Sequence, residues 1–286
     1  MTEQVMIATK KTTLDHYREE DGDPAEELPD EEYEPIVEGH ENHYESLETV
    51  ESWLEAEGVD YDTVRVPEEA DDDFVAYDLV VSLGGDGTAL DASHYVMDDT
   101  PMVPVRSDEN SHGALCQYGA DEIEEALDDA LHDPDLEEWS RAAVHYDGET
   151  AYALNDVFVA DRHSMEVARY EISDGEYEEE HMNSGLVVST GAGSTGWYGN
   201  VPGNEGTFPN DADELRYIER EPVRDGDQEL NRGRVGEDGS LELRSKMNVD
   251  GIISIDCDRE DMLFEFPRGA TATVELADEP LRVVTG

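Results

Sequence analysis

The chain has 286 residues, 75 of them acidic and 18 basic, for a formal net charge of −57. A chain of that sign is repelled by nucleic-acid backbones and anionic membrane surfaces, so neither is an expected partner. No window reaches the ~18 consecutive apolar residues of a membrane span and no basic-then-apolar leader opens the chain, so the expectation is a cytoplasmic protein with no membrane anchor.

In chain order, a strand is predicted over 5–8, followed by Lys10-Lys-Thr-Thr and a segment over 18–41 rich in Asp, Glu and Pro that reads as an extended loop or frayed helix. A helix over 44–57 stops at Gly58, and strands follow at 63–66 and 79–83. A helix over 89–97, a strand over 102–105 and a helix over 121–131 continue the alternation, the last with Ile123, Ala126, Leu127 and Ala130 inward. Strands alternating with helices predict a doubly wound, Rossmann-like α/β domain over 1–138. After Pro134 the pattern changes to short strands at 141–146, 152–160, 167–172, 176–182, 185–189, 215–220, 240–243, 252–256, 262–266 and 271–276. These predict an antiparallel β-sandwich domain over 139–276, with loops at 203–212 and 225–239.

The acids are spread through every segment, and only Lys10, Lys11 and Lys246 are lysines. Repulsion at this density is screened when molar salt shortens the Debye length to about 3 Å, so the composition predicts a halophile with a salty cytoplasm. Cys116 and Cys257 have no partners at metal spacing and read as buried thiols. His40 and His43, spaced i, i+3 in the polar segment, read as solvated, and His94, His112 and His163 as structural.

The most informative stretch runs from Tyr77 to Leu90, where an apolar strand empties into Gly84-Gly-Asp-Gly-Thr88. Gly84, Gly85 and Gly87 permit tight turns and close backbone approach, Thr88 can cap the next helix, and that helix's N-terminus favours negative charge. Such a turn handles phosphates, although glycines serving geometry alone are the alternative. An ordinary P-loop carries Gly-Lys-Ser/Thr here; the acidic Asp86 instead suggests a base or a metal contact. Later, Ala153-Leu-Asn-Asp-Val-Phe-Val159 and Ser184-Gly-Leu-Val-Val-Ser-Thr-Gly-Ala-Gly-Ser-Thr195 offer an Asx turn before a strand and a second glycine turn.

The Gly-Gly-Asp-Gly-Thr string resembles the signature shared by NAD kinases, diacylglycerol kinases and sphingosine kinases. The two later segments narrow the resemblance to NAD kinases, being similar to that family's Ala-Leu-Asn-Glu strand and Thr-Gly-Ser-Thr turn. Lys10-Lys-Thr-Thr, the loop over 104–116, Tyr217-Ile-Glu-Arg-Glu-Pro-Val223 and Phe264-Glu-Phe resemble the mitochondrial-type branch, here in an acidic, haloarchaeal-like version. One departure is Thr190-Gly-Ala-Gly-Ser-Thr-Gly-Trp-Tyr198, where the common family has Thr-Pro-Thr-Gly-Ser-Thr-Ala-Tyr.

The resemblance implies transfer of the γ-phosphoryl of ATP, or of another donor, to the 2′-hydroxyl of the adenosine ribose of NAD. It implies Asp86 as general base, with Gly84, Gly85, Gly87 and Thr88 on the phosphates and Mg2+ accompanying the donor. Asn155, Asp156, Thr190, Gly193, Ser194, Thr195, Tyr198 and Asp256 would bind NAD, with Trp197 competing for the role of Tyr198 and Asp250 for that of Asp256. A homodimer and a return of residues 277–286 to the first domain are also implied. A kinase for a lipid or sugar acceptor, and a non-catalytic NAD or NADP sensor, are the alternatives.

Overall fold

Apolar strands that are buried on both faces need helices on both sides, and the first half of the chain supplies them. The computed structural model describes residues 4–20, 22, 28–70, 73–108, 113–132, 134–163, 166–223, 228–256 and 262–285. Its first elements are β1 (Gln4–Thr9), α1 (Thr13–Glu20), α2 (Asp30–Glu57), β2 (Asp60–Arg65), β3 (Leu79–Gly84), α3 (Asp86–Ser93), β4 (Met102–Arg106), α4 (Ile123–His132) and β5 (Asp135–Trp139). Next come β6 (Ala142–Tyr146), β7 (Glu149–Ala153), β8 (Asp156–Asp161), β9 (Ala168–Ser173), β10 (Glu178–Asn183), β11 (Leu186–Ser189) and α5 (Trp197–Asn200). The chain finishes through β12 (Glu214–Glu219), β13 (Arg232–Gly236), β14 (Ser240–Ser245), β15 (Gly251–Ile255), β16 (Leu263–Glu265), β17 (Thr271–Leu276) and β18 (Leu281–Thr285).

Two compact units result: Met1–Glu137 with Leu281–Gly286, and Glu138–Pro280. In the first, a six-stranded sheet runs β2-β1-β3-β4-β18-β5, with β1 to β4 mutually parallel and β18 parallel to β4. Val50 and Leu54 of α2 and Ile123, Ala126 and Leu127 of α4 pack on Val5, Ile7, Leu79, Val81 and Val103 of one face, while α3 lies against β1, β3 and β4. The connections leave β1 toward β2 and β3 toward β4 in opposite directions. The strand order therefore reverses between β1 and β3, and open α/β sheets bind ligands at such a reversal, beyond the carboxyl ends of the strands.

The second unit is a sandwich of two six-stranded antiparallel sheets, β10-β9-β14-β17-β6-β7 and β13-β12-β11-β8-β15-β16. Alternating residues of both, among them Val144, Val159, Tyr170, Val188, Leu243 and Val274, interdigitate in one core. No helix among the described residues is long and apolar enough to cross a membrane.

Several expectations change, among them that Cys116, expected buried, is half-buried. Helix α2 starts at Asp30, well before residue 44, and places His40 and His43 on a helix; His43 is fully buried, not solvated. Helix α3 spans Asp86–Ser93, not 89–97. The single strand expected over 152–160 is interrupted at Leu154 and Asn155. Cys257 and His112 lie outside the described residues.

Candidate active site

Strand β3 is buried along all six residues and delivers the chain into the glycine turn. At Gly84 a Cβ would overlap the Thr88 hydroxyl, so only glycine closes the turn this tightly. At Gly85 and Gly87 a Cβ would meet nothing, so the absence of side chains leaves the outer surface of the turn bare backbone. Gly85 is the N-cap of α3, and the Thr88 hydroxyl faces its amide at 3.5 Å from the third helical position. Thr88 thus braces the turn from inside the helix. Asp86 is the first helical residue, among free first-turn amides and at the positive end of the dipole.

The Asp86 carboxylate accepts hydrogen bonds from the amides of Ala114, at 2.7 Å, and Leu115, at 3.0 Å. Gly113 lies flush against the carboxylate, where a Cβ would overlap an Asp86 oxygen. The Cys116 thiol also hydrogen-bonds Asp86; burial first, and then the Asp86 charge, push it up to about 12, so it stays a neutral donor. Sequence reasoning missed this clamp because two of its donors are backbone amides.

A second missed group is His43. Its Nε2 lies 2.9 Å from the Thr9 hydroxyl and its Nδ1 2.8 Å from the Ser107 hydroxyl, which donates to the Gly84 carbonyl. With that proton on Gly84, Nδ1 carries the ring proton and Nε2 accepts from Thr9, a directed relay ending on the turn. Burial, and then the Lys10 charge, lower His43 to about 4, so it is neutral near neutral pH. The cue was its place in the buried row His43, Ser46, Val50 and Leu54 of α2, half of it polar.

In the second unit the interruption between β7 and β8 is built by Asp256. Its buried carboxylate accepts from the amides of Leu154 and Asn155, both at 2.6 Å, and Asp156, at 2.9 Å. Three amides on one carboxylate bend the backbone out of the ladder. Burial raises Asp256 to about 6 against the pull of those amides, and burial with the Asp256 charge raises Asp156 to about 7. Asp250 is exposed and lies 3.5 Å from His163.

Thr190 secures the same loop, donating to the carbonyl of Asn155 at 3.1 Å and accepting from the Gly193 amide at 3.1 Å. A Cβ at Gly193 would overlap the Asn155 backbone, and one at Gly191 that of Pro209. The buried Ser194 hydroxyl is engaged with the backbone of Phe208. These side chains therefore shape the turn, and Thr195 is the exposed hydroxyl on it. Asn155 Oδ1 is buried with no hydrogen-bond partner, an acceptor left open for a donor.

Tyr198 is buried against Val187, Phe208 and Ile218, and its hydroxyl accepts from the Glu205 amide. Trp197 carries the exposed ring, 51% accessible, edge-on to Phe158 and 5.5 Å from the Arg220 guanidinium. Trp197, Val201, Pro202, Arg220 and Glu221 line a cavity of about 360 Å³. Among the described residues no three His, Cys, Asp or Glu side chains are grouped to hold a metal ion.

The ATP-NAD kinase N-terminal domain model matches residues 25–135. A probable NADH kinase of Oryza sativa subsp. japonica is 32% identical over 222 residues, 68% of this chain and 67% of that protein. An NAD kinase of Thermotoga petrophila is 35% identical over 131 residues, and the human mitochondrial NAD kinase 2 is 29% identical over 219; the chain spans 48% and 49% of their lengths. An NAD kinase from Archaeoglobus fulgidus in complex with ATP shares the fold at a TM-score of 0.73 and 17% identity, over 98% of this chain and 93% of that one. Yeast NADH kinase complexed with NADH also gives 0.73, at 14% identity over 99% of this chain and 83% of that one.

Proposed function

The chain belongs to the NAD kinase family, and from that membership we propose that it transfers the γ-phosphoryl of ATP to the 2′-hydroxyl of the adenosine ribose of NAD or NADH. The ribose oxygen attacks the γ-phosphorus, the bond from that phosphorus to the β,γ-bridging oxygen breaks, and ADP leaves. The hydroxyl proton passes to Asp86 and then to water. The observation that carries this is Asp86 itself, held at the start of α3 by the Ala114 and Leu115 amides beside a turn of bare backbone. With the Ala114 and Leu115 amides and the Cys116 thiol on it, the carboxylate keeps about one of its four acceptor sites for a substrate hydroxyl. In a loose phosphoryl-transfer transition state, positioning of that hydroxyl outweighs strong basicity.

The amides of Gly85, Gly87 and Thr88 suit the donor phosphates, and Asn155, with its open acceptor, suits the dinucleotide. Asp156 and Thr195 line the same turns, whereas Asp256, Thr190, Gly193 and Ser194 act by shaping them. Trp197, as the exposed ring, takes the stacking role in place of Tyr198. A magnesium ion would come with the triphosphate, as magnesium commonly does at phosphate sites, with Asp86 the one carboxylate in the turn. Bound there, magnesium would neutralise charge on the transferred group.

The proposal extends to a mitochondrial-type branch, a homodimer, and a cytoplasm of high salt. The names of the rice and yeast relatives add NADH to the acceptors to be tried.

The test is NADP(H) formation by wild type and Asp86→Asn with ATP, magnesium and either NAD or NADH in molar potassium chloride. The variant is expected to lose about 10²- to 10⁴-fold in kcat while still binding the dinucleotide. A folded wild type that makes no NADP(H) overturns the reading and directs attention to a lipid or sugar acceptor or to a sensor.

A further inference from the structure

We propose that the Lys10 ammonium is the cation that holds the phosphates of the phosphoryl donor at the glycine turn, supplied by the neighbouring strand because the turn has no lysine of its own. The proposal rests on the phosphoryl-transfer reading above and names a group for its donor. A triphosphate approaching a chain of net charge −57 meets repulsion almost everywhere, so a local positive charge at the turn has to be built in.

The sheet puts one there. Thr9 pairs with Leu83 in the parallel register, so the next residues, Lys10 and Gly84, leave β1 and β3 side by side. On the other flank Gly84 pairs with Arg106 of β4. Lys10 therefore stands at the carboxyl end of β1, where the strand order reverses, one strand from the turn that bears Asp86.

The other two lysines are committed elsewhere. Lys11 pairs with Glu19 at 2.5 Å, and Lys246 with Glu171 at 2.6 Å and Glu180 at 3.8 Å. Among the described residues Lys10 forms no ion pair, in a chain with about four acidic groups for each basic one. It lines a cavity of about 250 Å³ on the β2 flank of β1, with Thr9, His43, Tyr44, Thr63, Arg65 and Glu69, where Glu69 pairs with Arg65 at 3.8 Å. Its charge is felt at both His43 and Cys116, the two groups whose hydrogen bonds lead to Gly84 and to Asp86. An ammonium is suited to this task as a compact point charge on a flexible stem that can follow a phosphate.

Steady-state kinetics and direct ATP binding on wild type, Lys10→Met and Lys10→Arg test the idea, in molar potassium chloride with magnesium. Lys10→Met is expected to raise KM for ATP about ten- to hundredfold, the loss of one charge-assisted contact, with KM for the dinucleotide unchanged. Lys10→Arg recovers most of that loss, a rescue that a purely structural role would not predict. An ATP KM in Lys10→Met within about twofold of wild type overturns the assignment while leaving the phosphoryl-transfer reading intact. Where the wild type turns over no dinucleotide, calorimetric titration with ATP and magnesium decides instead: weaker binding to Lys10→Met upholds Lys10 as the phosphate cation, and equal binding refutes it.

Discussion

The role proposed for Asp86 depends on a neighbour with no side chain. Gly113 leaves room for the carboxylate to reach the Ala114 and Leu115 amides. Gly113→Ala is expected to swing Asp86 off the clamp and cut kcat about 10²-fold, since displacements near 1 Å carry such costs. The thermal midpoint should hold; an unchanged kcat would refute the clamp. His181 makes a second residue-scale case. Burial opposes its charge, but hydrogen bonds and attraction from Glu219 and Glu179 outweigh it, and its pKa is raised. The stabilisation is therefore fully present below the unfolded histidine value of about 6.5 and is lost as pH rises through the folded value. Thermal melts should show the wild type weakening over that window and His181→Gln nearly flat across it. The Gly-Gly-Asp-Gly-Thr turn is legible in the sequence because glycines and one acid have side-chain identities to read. The amide clamp is not, because every residue has an amide. Likewise the exposure of Trp197 and the burial of Tyr198 follow from the packing of Tyr198 against Phe208, which neighbouring letters do not encode.

Among the elements, the β7–β8 interruption shows how a distant carboxylate overrides strand propensity. Residues 152–160 read as one strand because their apolar pattern continues; the amides that break it are captured by Asp256, about a hundred residues on. Asp256→Asn sets a buried amide nitrogen against backbone donors and is expected to destabilise the protein by about 1–3 kcal/mol. The same change should raise KM for the dinucleotide but not for ATP, and a variant with wild-type stability and KM would sink the anchoring role. The raised Asp256 and Asp156 have a pH consequence as well. Folded carboxylates raised to about 6 and about 7 contribute stability below their unfolded values that is lost as pH rises through those folded values. Asp156→Asn should accordingly gain on the wild type in melts at pH 8 and lose that advantage near pH 4. Helix α2 was half legible: Leu47, Val50 and Leu54 mark its second half, whereas the first half is acidic and holds Pro35. Its start follows instead from Asp30, Glu31 and Glu32 in the first turn, where the dipole favours them.

Across the whole molecule, the balance of 75 acidic to 18 basic residues sets the conditions under which either fold can persist. Screening is the available remedy, so the melting midpoint is expected to climb steadily as potassium chloride rises from about 0.1 to about 3 M, with equal ionic strength of sodium chloride acting similarly. A midpoint indifferent to salt would remove the halophile proposal. Fold class was legible at this scale because the change from helix-and-strand alternation to short strands is a change of period, whereas β13 sits in what reads as a loop over 225–239, with four glycines and few apolar residues. The strand β18 carries a different consequence. Leu281, Val283 and Val284 are buried in the first sheet, with Val283 opposite Met102, while residues 138–280 form a contiguous unit. A ribosome delivers that contiguous unit whole before it delivers β18, so the usual order of folding from the N-terminus forward is inverted. Until β18 emerges, β4 waits as an open edge, and the sheet that carries the glycine turn closes only after the sandwich unit has been delivered.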